Sequence, residues 1–95
     1  MGMLPILTVS TGVLAEILRR QPASDARTRF AWQLAVGPAL ARATAVEIHD
    51  GVLTARCADP RWAPELARAR DVVLERLQQL LGPEAVGRLT IIGTE

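Results

Sequence analysis

Ninety-five residues, 49% of them hydrophobic and 22% charged, make one globular domain with enough apolar surface for a single core. The formal net charge of +1 excludes a global field that would draw the chain onto nucleic acid or a membrane, so contact with a polyanion requires a local patch. One cysteine, Cys57, excludes an intrachain disulfide and points to a reducing, cytoplasmic compartment.

Residues 1–9 read as an extended entry segment and residues 10–95 as the domain. Met1 to Val9 is apolar but has no basic n-region and is far short of a membrane span, so neither a signal peptide nor an anchor is expected. Thr8, Ser10 and Thr11 offer N-caps for a first helix, whose Val13, Leu14, Ile17 and Leu18 form an apolar stripe at helical spacing. Arg19 and Arg20 suit the negative end of its dipole, and Gln21-Pro22-Ala23 breaks it. Ser24 or Asp25 caps a second helix carrying Phe30, Trp32, Leu34 and Val36. Pro38 either kinks this helix at Val36-Gly37 or, with Gly37 ending it, starts a short successor through Arg42.

Val46 and Ile48 alternate with Glu47 and His49, the pattern of a half-buried strand. Asp50-Gly51 is a type I′ hairpin signal, and Leu53, Ala55 and Cys57 alternate with Thr54 and Arg56 on the returning strand. Asp59-Pro60 opens a long helix predicted from Arg61 to Leu81, with Leu66, Ala69, Val73, Leu77 and Leu80 as its core stripe and Leu74 and Leu81 widening it. Gly82-Pro83 stops it, and Leu89 to Ile92 reads as a third strand. The order is α-α-β-β-α-β: an α+β fold with a three-stranded sheet packed on helices, the last strand joining the hairpin edge.

No residue set announces a reaction. His49 beside Asp50 has the composition of an acid–base pair, yet no serine or cysteine nucleophile motif accompanies it, and a solvated turn is the plainer reading. His49 has no metal-ligating companion, and no glycine pattern cradles a phosphate, so no metal and no cofactor is expected. Cys57 falls on the inward register and reads as a small buried hydrophobe. All eleven basic residues are arginine, a usage that fits the coding bias of a GC-rich genome. Arg56 on the outward strand face, Arg61 at the strand-to-helix turn, and Arg68 and Arg70 in the following helix are the candidate phosphate contacts. Rings for base stacking are limited to Phe30, Trp32 and Trp62, and both tryptophans read as packing residues.

One ordered set of phrases goes further. Trp32-x-x-x-Val36-Gly37, Leu40-Ala41 and Val46 precede Asp50-Gly51-x-Leu53. Ala58-Asp59-Pro60-Arg61-Trp62-Ala63-x-Glu65-Leu66, Val73-Leu74-x-x-Leu77 and Leu80-Leu81-Gly82 follow, and then a hydrophobic strand. This set resembles the DciA family, from about Leu14 to Ile92. The resemblance implies a type II KH-like domain and a non-enzymatic accessory role in bacterial DNA replication. Its partners would be the replicative helicase and, more weakly, single-stranded or forked DNA. The G-x-x-G clamp of nucleic-acid-binding KH domains is absent, and Asp59-Pro60-Arg61-Trp62 stands at the strand-to-helix turn. The chain ends at Glu95 without the basic segment that many family members carry, which moves weight from autonomous DNA binding to helicase binding. The rival reading is a small scaffold that self-associates through the sheet edge beside Leu89 to Ile92, without nucleic acid.

Overall fold

The computed structural model describes residues 11–93; the expected entry segment and the caps Thr8 and Ser10 lie outside them. The elements are α1 (Thr11–Arg20), α2 (Asp25–Val36), α3 (Pro38–Arg42), β1 (Thr44–His49), β2 (Val52–Cys57), α4 (Trp62–Arg68), α5 (Arg70–Leu81) and β3 (Arg88–Gly93). The sheet order is β1-β2-β3, with β1 antiparallel and β3 parallel to β2. The chain is therefore the small α+β fold expected, with three strands joined as the turn signals required.

Local chemistry sets the helix ends. Ser24 caps α2, its Oγ accepting the Arg27 backbone N–H at 3.0 Å. Gly37 ends the helix at φ 94°, a conformation that disfavours side chains, and Pro38 begins α3 at the position where its missing N–H costs nothing. Of the two readings of Val36-Gly37-Pro38, the chain takes the stop and restart. Ala41 still donates to Gly37 O at 3.0 Å, so α3 has its own first turn.

The single long helix expected over Arg61–Leu81 is two helices. At Ala69 (φ −96°, ψ 7°) the N–H is shared between Glu65 O at 3.2 Å and Leu66 O at 3.1 Å, the tightened end of α4. Neither glycine nor proline marks this break. Its reason is tertiary: α4 lies against β3, whereas α5 lies against α1 and α2, and one straight helix cannot serve both. The apolar stripe holds across the break, with Leu66, Val73, Leu77, Leu80 and Leu81 buried. On α1 the expected stripe is only half used. Leu18 is buried with Ala15, but Val13 and Ile17 are about half exposed, because α5 covers one narrow side of this helix.

The hairpin and the sheet follow the alternation. Asp50 (φ 53°) and Gly51 (φ 78°) both have positive φ, as a type I′ turn requires. Leu53, Ala55, Cys57 and Leu89 face the helices and are buried. The register stacks the other face in rows: His49, Val52 and Arg88; Glu47, Thr54 and Thr90; Ala45, Arg56 and Ile92. Among the described residues this face has no helix over it, and its one aromatic ring is the imidazole of His49 at the hairpin tip.

Candidate nucleic-acid interface

The four candidate arginines do not share one setting. Arg56 projects from the uncovered sheet face, in register with Ala45 and Ile92. Helix α4, which carries Arg68, lies on the opposite side. A Cβ placed on Gly93, an inward position paired with Cys57, would come within 3.3 Å of the Ala63 Cβ.

Arg61 closes the strand-to-helix turn. Asp59 Oδ1 accepts the Arg61 backbone N–H at 2.9 Å, and Oδ2 accepts from its guanidinium at 2.7 Å. The side-chain hydrogen bond from Arg61, with the backbone one beside it, holds the Asp59 carboxyl below its ordinary range, and the same bond raises the guanidinium of Arg61. Arg68 pairs with Glu65 at 2.7 Å one turn back on α4. Arg70, the first residue of α5, is exposed. Two of the four thus carry a carboxylate of their own, which weakens their pull on phosphate.

The same division runs through all eleven arginines. Arg19 donates to Gln79 O, Arg27 to Leu18 O and Gln21 O, and Arg76 to Ala35 O, so these three tie helices together through backbone carbonyls. Arg20 pairs with Glu16, and Arg61 and Arg68 pair as described. Arg29, Arg42, Arg56, Arg70 and Arg88 are exposed, and their side chains make no hydrogen bond or ion pair among the described residues. Arg42 and Arg56 line one hollow of about 370 Å³ at the β1–β2 end. Arg29 and Arg42 were not among the expected contacts, because they sit on helices distant in sequence from Arg56. For Arg42 the signal that could have found it was its place on α3 with no acidic residue three or four positions away, whereas Arg29 has Asp25 four positions back and only the structure shows that the two do not pair.

The rings divide as well. Trp32 is buried and its Nε1–H donates to Thr44 Oγ1 at 2.7 Å. Trp62, 36% exposed, sits over a hollow of about 350 Å³ with Leu40, Leu66, Val73 and Arg76. Phe30 is 48% exposed. His49 and Asp50 are 3.3 Å apart at the hairpin tip with 87% of each side chain in solvent, a setting that gives acid–base chemistry no shelter. Cys57 is buried, and burial pushes its thiol pKa up, away from reactivity. Among the described residues no group of three His, Cys, Asp or Glu side chains is placed to hold a metal, and no helix is long and apolar enough to cross a membrane.

The fold and these phrases can be set beside known proteins. No curated protein matches the chain. A family described as "Dna[CI] antecedent, DciA" matches residues 8–91, nearly the whole length. That family implies a role in DNA replication and helicase loading. The chain belongs to the DciA family.

Proposed function

We propose that this protein is a non-enzymatic accessory module of DNA replication that binds the bacterial replicative helicase and, more weakly, single-stranded or forked DNA. The observation that carries the reading is the family match over residues 8–91. The arrangement of side chains supports it: no nucleophile–base set gathers around His49 and Asp50, while five exposed arginines lack protein partners among the described residues. A three-stranded sheet backed by helices also suits the KH-like type that the resemblance implies, and the workplace would be the cytoplasm. Phosphate contact is assigned to Arg56, Arg61, Arg68 and Arg70, with Arg56 and Arg70 contributing most because they are uncompensated.

Two measurements test this. Pull-down of the helicase from native extract should survive nuclease treatment, since the contact is protein to protein; loss on nuclease would make DNA the bridge and remove the helicase half. Titration with single-stranded DNA should give an affinity that falls as salt rises, by a slope of about 0.7 per neutralised phosphate. No binding at low salt would remove the DNA half.

A second reading is favoured by one observation. Among the described residues, the order β1-β2-β3 leaves one side of β1 and one side of β3 without a strand neighbour, the template for pairing with a second copy. Sedimentation over a range of concentrations separates the two readings: a strict monomer that captures helicase excludes self-association.

A further inference from the structure

Three of the five uncommitted arginines converge on one strip of surface. Arg29 and Phe30 on α2 and Arg42 on α3 line a hollow of about 330 Å³ that reaches β1 at Thr44 and Val46. The hollow of about 370 Å³ that holds Arg42 and Arg56 also includes Thr44. The two hollows share Arg42 and Thr44, so they form one furrow from α2, across the start of β1, to Arg56. No aspartate or glutamate lines either hollow. That separates this strip from α4, where Arg61 and Arg68 each face a carboxylate.

The furrow also contains an aromatic ring with an open flank. Phe30 is 48% exposed, whereas Trp32 beneath the same hollow is 1% exposed and hydrogen-bonded. The uncovered sheet face, the usual platform for stacking bases, offers a single ring among the described residues, the His49 imidazole at the hairpin tip. Guanidinium groups without counter-ions suit phosphates, and a half-open ring between them suits an unpaired base. A duplex keeps its base faces stacked on one another and would leave Phe30 unused. An acidic peptide would pair with the arginines and likewise leave the ring idle.

We propose that the furrow is the site for single-stranded nucleic acid, with Arg29, Arg42 and Arg56 holding successive phosphates and Phe30 stacking one base. The proposal rests on the DNA-binding half of the reading above. It extends the site to the α2–β1 side, adding Arg29, Arg42 and Phe30 to Arg56, the expected residue that stands beside them.

The test is fluorescence anisotropy of a labelled oligothymidylate with the full chain at low and raised salt. Arg29→Ala with Arg42→Ala should weaken binding roughly tenfold or more at low salt and reduce the salt slope by about 1.4, two phosphates' worth on a single strand. Phe30→Leu, which keeps apolar bulk but loses the ring, should weaken binding roughly tenfold, and Phe30→Trp should restore it. Arg20→Ala, which removes an exposed arginine paired with Glu16 on α1, should leave affinity within about twofold, as paired surface charges do. These side chains are exposed, so thermal melts of the variants should match the parent. Parent-like binding by both the arginine pair and Phe30→Leu overturns the site while the parent's own binding upholds the broader reading. A parent that binds no oligonucleotide overturns the DNA half of that reading and this site with it. Duplex bound as tightly as the oligothymidylate, with Phe30→Leu silent, overturns the stacking role.

Discussion

Trp32 and Thr44 are joined by a 2.7 Å hydrogen bond from the indole Nε1–H to the hydroxyl, and the hydroxyl donates onward to Leu40 O at 2.9 Å. One threonine therefore links α2, α3 and the first residue of β1. It also relieves the one polar atom of an otherwise apolar ring that is 1% exposed. The tryptophan phrase near the start of the chain is a packing device, and its position fixes the helices against the hairpin.

Thr44→Val keeps the shape but leaves the indole N–H buried without an acceptor. The expected loss is about 1–3 kcal/mol, against a much smaller loss for Thr44→Ser. Trp32→Ala should cost about 3–5 kcal/mol, a large part of a small domain's stability. Urea melts of the three variants check the order.

The hairpin turn should resist substitution at Gly51 for two reasons. Its φ of 78° costs a β-branched residue roughly 1–2 kcal/mol. Its carbonyl also accepts the Gly87 N–H at 2.7 Å, which seats the start of β3. Gly51→Val is expected to lower the melting temperature and to speed amide exchange at Gly87 and Arg88, while Gly51→Asn is expected to be milder because asparagine tolerates this region.

Asp59 gives a pH dependence with a definite sign. Its folded pKa is depressed by the hydrogen bonds from Arg61, so its contribution is fully present above the unfolded value of about 3.9 and is lost as pH falls through the lower folded value. Asp59→Asn should therefore match the parent's stability in strong acid and fall slightly short at neutral pH. The pair is exposed, so the difference should be small and should shrink with salt. Equal stability at every pH would assign the turn to Pro60 and the backbone alone.

Cys57 should be chemically quiet. Its side chain is buried and its thiol pKa is raised by that burial, so little thiolate is available at neutral pH. A soluble disulfide reagent should label it fast in denaturant and far more slowly in the native protein. Fast native labelling would mean that the β1–β2 end opens readily.

Much of the framework was written in local pattern. Period-two alternation in Val46–Cys57 assigned the inward faces of both hairpin strands, and Asp50-Gly51 assigned the turn, because each depends on neighbours a few residues away. Ser24, Gly37 and Gly82 ended helices for equally local reasons. The family, too, was legible in the ordered phrases, since their spacing reflects the same turns and caps.

What the chain did not show along its length was direction and neighbourhood. The break at Ala69 has no local breaker; it exists because α4 and α5 face different partners. Val13 and Ile17 share the apolar period of Leu14 and Leu18, yet only the packing of α1 on α5 decided which of them met water. The arginines were visible as a count and as a run near Trp62, but Asp59 and Glu65 claim Arg61 and Arg68. Arg29 and Arg42 reach Arg56 only once Trp32 and Thr44 bring α2 and α3 against the hairpin. By itself the sequence determined the elements, the turn and the family. The tertiary structure alone decided which cations are left uncompensated and which of them stand together, because charge pairing and surface adjacency belong to spatial neighbours, and no period in the chain encodes them.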